Sequence, residues 1–199
     1  MPITYTSRKG LTYHLCKGHT KTGKPRYYFS RQPKDELVEQ LPEGYKISES
    51  VNGIVSLTKD QPSKILADEL VAVQQVLNRH PRANQYRLNV RPDRIEVYEA
   101  AGPSADDLIE IFRGHRLLSP EFDSARAQQM REDQERRAQY SAVMQFILAD
   151  EVKRQYRAER WCYLGSIDDW ISVDHIDKVG ALAERLIPKL GTDRFFEVF

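Results

Sequence analysis

The sequence predicts an α+β protein, with a small basic antiparallel β module followed by an αβ body whose helices pack on antiparallel strands. Three observations carry this reading. From Ile3 to Lys59 the chain is rich in β-branched and aromatic residues interrupted by turn chemistry. From the last of these strands to Arg113 the signals run strand, helix, strand, strand, helix. Near the end, Ile176, Val179, Leu182 and Leu186 fall at helical spacing.

In the first region Leu11, Tyr13 and Leu15 alternate with Thr12, His14 and Cys16, while Tyr27 and Phe29 alternate with Arg26, Tyr28 and Ser30. A period of two is that of a strand. The Lys21-Thr22-Gly23-Lys24 turn then joins the two runs into a hairpin that buries one face and shows Arg26 and Tyr28 on the other. Tyr45 to Ser50 and Ile54 to Thr58 form a second hairpin around Asn52-Gly53, the strongest short turn signal in the chain.

Leu66, Leu70, Val73 and Leu77 predict a helix that starts near a Pro62-Ser63 cap and stops by Arg79, ahead of Pro81. Tyr86 to Val90 and Ile95 to Tyr98 predict a hairpin around Arg91-Pro92-Asp93-Arg94, followed by a short helix from Asp106 to Arg113. Glu121 to Tyr140 is helix-permissive but polar nearly all round, with Phe122, Met130 and some alanines as its only apolar residues. Val143 to Leu148, Arg154 to Tyr163 and Trp170 to Val173 read as strands, with Gly165-Ser166 and Asp168-Asp169 in a turn. The closing helix is expected to be capped near Asp174 and ended or kinked by Pro188. This divides the chain into a module over 1–60 and a body over 61–199, with a weaker boundary near 120.

Charge is segregated along this order. The first 34 residues carry eight Lys or Arg and no Asp or Glu, which leaves 22 basic and 29 acidic residues for the rest of a chain whose net charge is only +1. Clustered cations without local anions create a field that concentrates polyanions, whereas interspersed charges cancel within a Debye length. Cys16 and Cys162 are the only cysteines, far from the density of a disulfide-stapled secreted scaffold, and a reducing cytoplasm is the expected setting. The apolar run from Ala142 to Ala149 is broken by Gln145 and is far short of the roughly 20 residues that span a bilayer. The first ten residues have no apolar stretch that would make a signal peptide.

Lys17, Lys21, Lys24, Arg26 and Arg31 are the candidate phosphate contacts, and Tyr28 is the ring expected to stack on a base, among Tyr13, Tyr27 and Phe29. The competing reading makes these aromatics the hairpin's own core and the lysines a solvated or self-docked face. His14, Cys16 and His19 are metal-competent residue types, but the fourth ligand that zinc wants has no close pair to come from. No metal or cofactor is expected. Asp150, Glu151, Asp168, Asp169 and His175 form a rival set for metal-dependent phosphoryl chemistry, although turns and helix caps account for them more cheaply. There is no GxGxxG, Walker loop, GxSxG or HExxH pattern, and Cys162 between Trp161 and Tyr163 reads as a small core residue. The terminal Phe195-Phe196-Glu197-Val198-Phe199 docks on the protein's own core or serves as a partner-binding tail.

Two segments, Lys21-Thr22-Gly23-Lys24-Pro25-Arg26-Tyr27-Tyr28-Phe29-Ser30 with Leu41-Pro42-Glu43-Gly44-Tyr45, and Trp161-Cys162-Tyr163-Leu164-Gly165-Ser166-Ile167-Asp168-Asp169-Trp170-Ile171, resemble stretches in functionally uncharacterised bacterial proteins. The resemblance implies a bacterial origin and a modular build, and it carries no activity or site residue. The sequence therefore predicts a sequence-tolerant nucleic-acid-binding or adaptor protein acting through the basic hairpin. The rivals are a nuclease-like enzyme and a structural component that meets an acidic protein partner.

Overall fold

The computed structural model describes residues 1–115, 124–164 and 166–195. Phe122, Gly165 and the aromatic tail beyond Phe195 lie outside the described residues. The fold is α+β, and its sheets are antiparallel throughout. Among the described residues no helix is long and apolar enough to cross a membrane. The chain divides into two compact units, one made of 1–61 with 102–139 and the other of 62–101 with 140–199.

The first unit holds β1 (Thr4–Thr6), β2 (Thr12–His19), β3 (Pro25–Ser30) and the short β4 (Glu36–Leu37), in which β1 and β4 both pair with β2 and β3 lies on its other side. β5 (Tyr45–Glu49) and β6 (Val55–Lys59) form a separate hairpin. The three tight connections share one design. In Ser7 to Leu11, Thr20 to Lys24 and Ser50 to Ile54, the first residue's carbonyl accepts from the glycine three positions on, and its N–H donates to the carbonyl of the residue after that glycine. The glycine closes each turn at positive φ, 78° at Gly23 and 74° at Gly53, where a side chain would be strained. The pattern Ser/Thr-x-x-Gly thus also makes the β1–β2 hairpin, which the alternation of residues alone did not reveal.

Residues 102–139 belong to this unit through α2 (Ala105–Gly114) and α3 (Ser124–Arg137). Ser104 caps α2, its hydroxyl accepting from Asp107 N–H at 3.1 Å while Asp107 accepts from Ser104 N–H at 2.8 Å. Arg131 pairs with Asp106 at 2.8 Å and joins the two helices. Arg8, in the β1–β2 turn, donates to the carbonyls of Glu135 at 3.1 Å and Ala138 at 3.5 Å, so a cation sits where the α3 dipole is negative. With the Arg131 pair and the bond from Gln134 to the Pro103 carbonyl, that contact holds a helix poor in apolar residues, and it spends one of the eight N-terminal cations.

The second unit is a five-stranded sheet in the order β11, β10, β9, β8, β7, built from β7 (Tyr86–Arg91), β8 (Arg94–Ala100), β9 (Tyr140–Asp150), β10 (Gln155–Leu164) and β11 (Ile167–Ser172). α1 (Ala67–Asn78) and α4 (Val179–Leu186) cover one face, where Val73, Leu77 and Leu182 pack with Ile95, Val97, Met144, Phe146 and Tyr156. The other face carries a row of polar residues. Asn89, Glu96, Gln145, Glu159 and Ser172 lie directly opposite one another across all five strands, and Asn89 donates to Glu96 and Gln145 to Glu159, each at 2.8 Å.

Three expected details differ. Asp168 and Asp169 are in β11 and not in a turn, because the pairing continues to Leu164 opposite Ile167. α1 starts after Leu66 and not at Ser63, since Glu69 reaches back to accept from Leu66 N–H at 2.9 Å, whereas the Ser63 hydroxyl is used on Ile65 N–H. Asp174 does not cap α4, which begins at Val179; with Asp177 it binds Arg185, at 2.7 and 3.0 Å.

Glu69 is the clasp of this unit. Its carboxylate accepts from Arg154 Nε at 2.9 Å and from the Tyr156 hydroxyl at 2.6 Å, and Arg154 Nη2 also reaches it and the carbonyl of Lys64. Burial alone would raise the Glu69 pKa, but these donors outweigh it and hold the group below its ordinary value. Glu69→Ala should destabilise the unit by about 2 kcal/mol at neutral pH, the scale of charged hydrogen bonds left unmade. A depressed carboxylate contributes fully above its unfolded pKa, so the difference from wild type should shrink as pH falls through the folded pKa. Urea midpoints of both proteins, measured at neutral and acidic pH, check this.

Candidate nucleic-acid interface

The β2–β3 hairpin is positioned by its turn. The Thr20 hydroxyl accepts from Lys24 N–H at 3.1 Å and meets the Thr22 hydroxyl at 3.0 Å, which fixes the loop from inside. The register that follows sets Gly18 opposite Arg26, Cys16 opposite Tyr28 and His14 opposite Ser30 on one face. Lys17 opposite Tyr27 and Leu15 opposite Phe29 occupy the other. Leu15 and Cys16 are fully buried, so the base of the hairpin is anchored on both faces while its tip runs free beyond β4.

Of the candidate phosphate contacts, Lys21 and Lys24 sit in the turn, Arg26 on one face, Lys17 on the other, and Arg31 just past β3. Lys21, Lys24, Arg26 and Arg31 are exposed and Lys17 is half-buried. None of these five, nor Lys34, makes an ion pair with a carboxylate among the described residues. Lys21, Lys24 and Arg26 therefore surround the hairpin tip, Lys17 and Arg31 lie nearer its base, and the five do not line one flat face. Lys9 lies elsewhere, its stem over Gly53, where an added Cβ would come within 3.1 Å of the Lys9 Cγ.

Tyr28 is more engaged than an open stacking ring. Its hydroxyl donates to Asp35 Oδ2 at 2.5 Å, and the Arg26 guanidinium lies 5.8 Å from the ring centroid. Gly18 permits this, because a Cβ at that position would meet Asp35 Oδ2 at 2.5 Å. The hydrogen bond to Asp35, then burial and the Asp35 charge, push the Tyr28 pKa up to about 12. Tyr27, 36% exposed, is the more accessible ring, and the alternation of residues that put it on the buried face gave no hint of that.

The rival residues are dispersed. Asp150 caps the β9–β10 turn by accepting from the N–H groups of Val152 and Lys153 at 3.0 and 2.8 Å, and Glu151 pairs with Lys64 at 2.9 Å. Asp168 and Asp169, in β11, lie opposite the far end of the ten-residue β10, roughly 25 Å away at strand rise. His175 Nδ1 pairs with Asp174 at 2.6 Å. Arg185 and the N–H of His175 outweigh the burial that raises Asp174 and hold its pKa below the ordinary value. His14 and Cys16 share a face of β2 and His19 alternates to the other; burial, with the Asp35 charge, pushes the Cys16 thiol up, away from the thiolate a metal needs. Among the described residues no three His, Cys, Asp or Glu side chains gather where they could hold a metal ion. Cys162 is buried in β10, as a core residue would be.

No family model, curated protein or solved structure matches the chain. Geometry alone must carry the functional reading.

Replacing Asp35 with Asn removes the carboxylate that disfavours tyrosinate. The Tyr28 ring should then titrate closer to the ordinary value of about 10 in a pH series of ring NMR shifts. Because the folded pKa is raised, the wild-type bond contributes below the ordinary value and is lost as pH climbs through about 12.

Proposed function

We propose that the protein is a sequence-tolerant nucleic-acid-binding or adaptor protein, in which the β2–β3 hairpin holds phosphates through Lys17, Lys21, Lys24, Arg26 and Arg31. The single supporting observation is that these cations, with Lys34, have no carboxylate partner among the described residues, although the chain as a whole is nearly neutral. An unpaired guanidinium or ammonium gains more from a phosphate than one already neutralised, and association releases the counterions of the polyanion.

The finger shape suits this chemistry. A protruding two-stranded ribbon fits a major groove or lies along a backbone, and cations on both faces and the tip then meet phosphates on either side. Tyr27 offers a partly open ring for an unpaired base. The hairpin has no Asn or Gln to read adenine, and its Lys and Arg residues are assigned to phosphates, so affinity is expected to follow phosphate count and not sequence.

Binding of a labelled duplex should weaken with salt, log affinity falling against log salt with a slope of about −5 if five or six phosphates are engaged. Fluorescence anisotropy across a salt series measures the slope. Affinity that ignores salt would remove the proposal.

A further inference from the structure

The second unit carries a separate aromatic cluster at the β10–β11 edge of its sheet. Trp161 stands directly opposite Trp170, and Tyr163 directly opposite Asp168, so four side chains occupy the corners of one square on the face away from α1 and α4. The two indoles meet edge to face, with centroids 5.3 Å apart. Tyr163 is 81% exposed and Trp161 36% exposed, a large aromatic surface on the strand next to the sheet edge.

The fourth corner sets the chemistry. The Asp168 side chain is exposed and makes no hydrogen bond or ion pair with any described residue, while its neighbour Asp169 accepts from Trp170 N–H at 2.7 Å. A phosphate brought onto these rings would face the Asp168 carboxylate, and a neutral sugar would leave that charge unused. A cation satisfies both features at once, since ring faces attract positive charge and the carboxylate pairs with it. Arginine fits better than lysine, because its planar guanidinium stacks on an indole and still offers a fork to a carboxylate.

We propose that Trp161, Tyr163, Trp170 and Asp168 form a docking site for an arginine-bearing peptide segment of a partner protein. This goes beyond the polyanion reading and does not rest on it.

The chain has two tryptophans and both are in this square, so intrinsic tryptophan emission reports on this site. The experiment titrates the full chain with an alternating Gly-Arg octapeptide, and in parallel with an all-glycine peptide, a neutral oligosaccharide and a single-stranded oligonucleotide. A saturable emission change with the arginine peptide alone is expected. Tyr163→Ala and Asp168→Asn, both at exposed positions, should each weaken it about three- to fivefold. No saturable response, an equal response to the all-glycine peptide, or unchanged affinity in both variants overturns the proposal. A response to the oligosaccharide or the oligonucleotide but not to the arginine peptide overturns it too and assigns another ligand class. Reversing charge at Lys21, Lys24 and Arg26 should leave this emission response intact, so it fails or stands apart from the hairpin reading.

Discussion

Everything proposed for the first unit depends on the register of β2 against β3. Side chains in a strand alternate with a period of two, so a slip of one residue would exchange Arg26 and Tyr28 for Tyr27 and Phe29 on each face. The Thr20 to Lys24 turn prevents that slip. Its closing hydrogen bonds place Gly23 at positive φ, and the Thr20 hydroxyl, bonded to the Thr22 hydroxyl and to Lys24 N–H, braces the loop. Further down, the fully buried Leu15 and Cys16 lock the same register by packing, so turn and core agree.

From that register follows the distribution of charge. Arg8 is consumed as a structural ligand of the α3 carboxyl end, and Tyr28 and Asp35 satisfy each other beside Arg26. What stays uncommitted is concentrated on the hairpin tip and on the segment leaving it. The second unit shows the opposite economy. Glu69 with Arg154, and Asp174 and Asp177 with Arg185, pair their charges within the fold. Such pairs cost desolvation and are kept for geometry, here to tie turns to helices. Against that background, the unpaired Asp168 beside three aromatic rings stands out as much as the unpaired lysines do.

Much of this was legible in the sequence. Both Gly-centred hairpins, the helix ending before Pro81, the Arg91 to Arg94 turn and the closing helix all rest on local chemistry, and local chemistry decided them. The β1–β2 hairpin was missed because β1 has only three residues, although Ser7-x-x-Gly10 repeats the signal at Thr20 and Ser50. Asp168 and Asp169 read as turn residues because aspartate favours turns, yet pairing with β10 overrode that preference. The grouping of 102–139 with the first unit includes Arg8 reaching carbonyls more than a hundred residues away, which no window of sequence can show. The aromatic square likewise exists only once β10 and β11 are in register, while the tight Tyr28–Asp35 bond needed the close approach that Gly18 allows.

The central claim is that uncommitted positive charge on the hairpin tip binds polyanions. Its most direct test compares wild type with the Lys21→Glu/Lys24→Glu/Arg26→Glu variant for retention on heparin and on an immobilised oligonucleotide, with far-UV circular dichroism confirming the fold. All three positions are exposed, so the variant should fold unchanged and lose retention on both matrices at physiological salt. Retention equal to wild type by a variant with an unchanged spectrum would contradict the account.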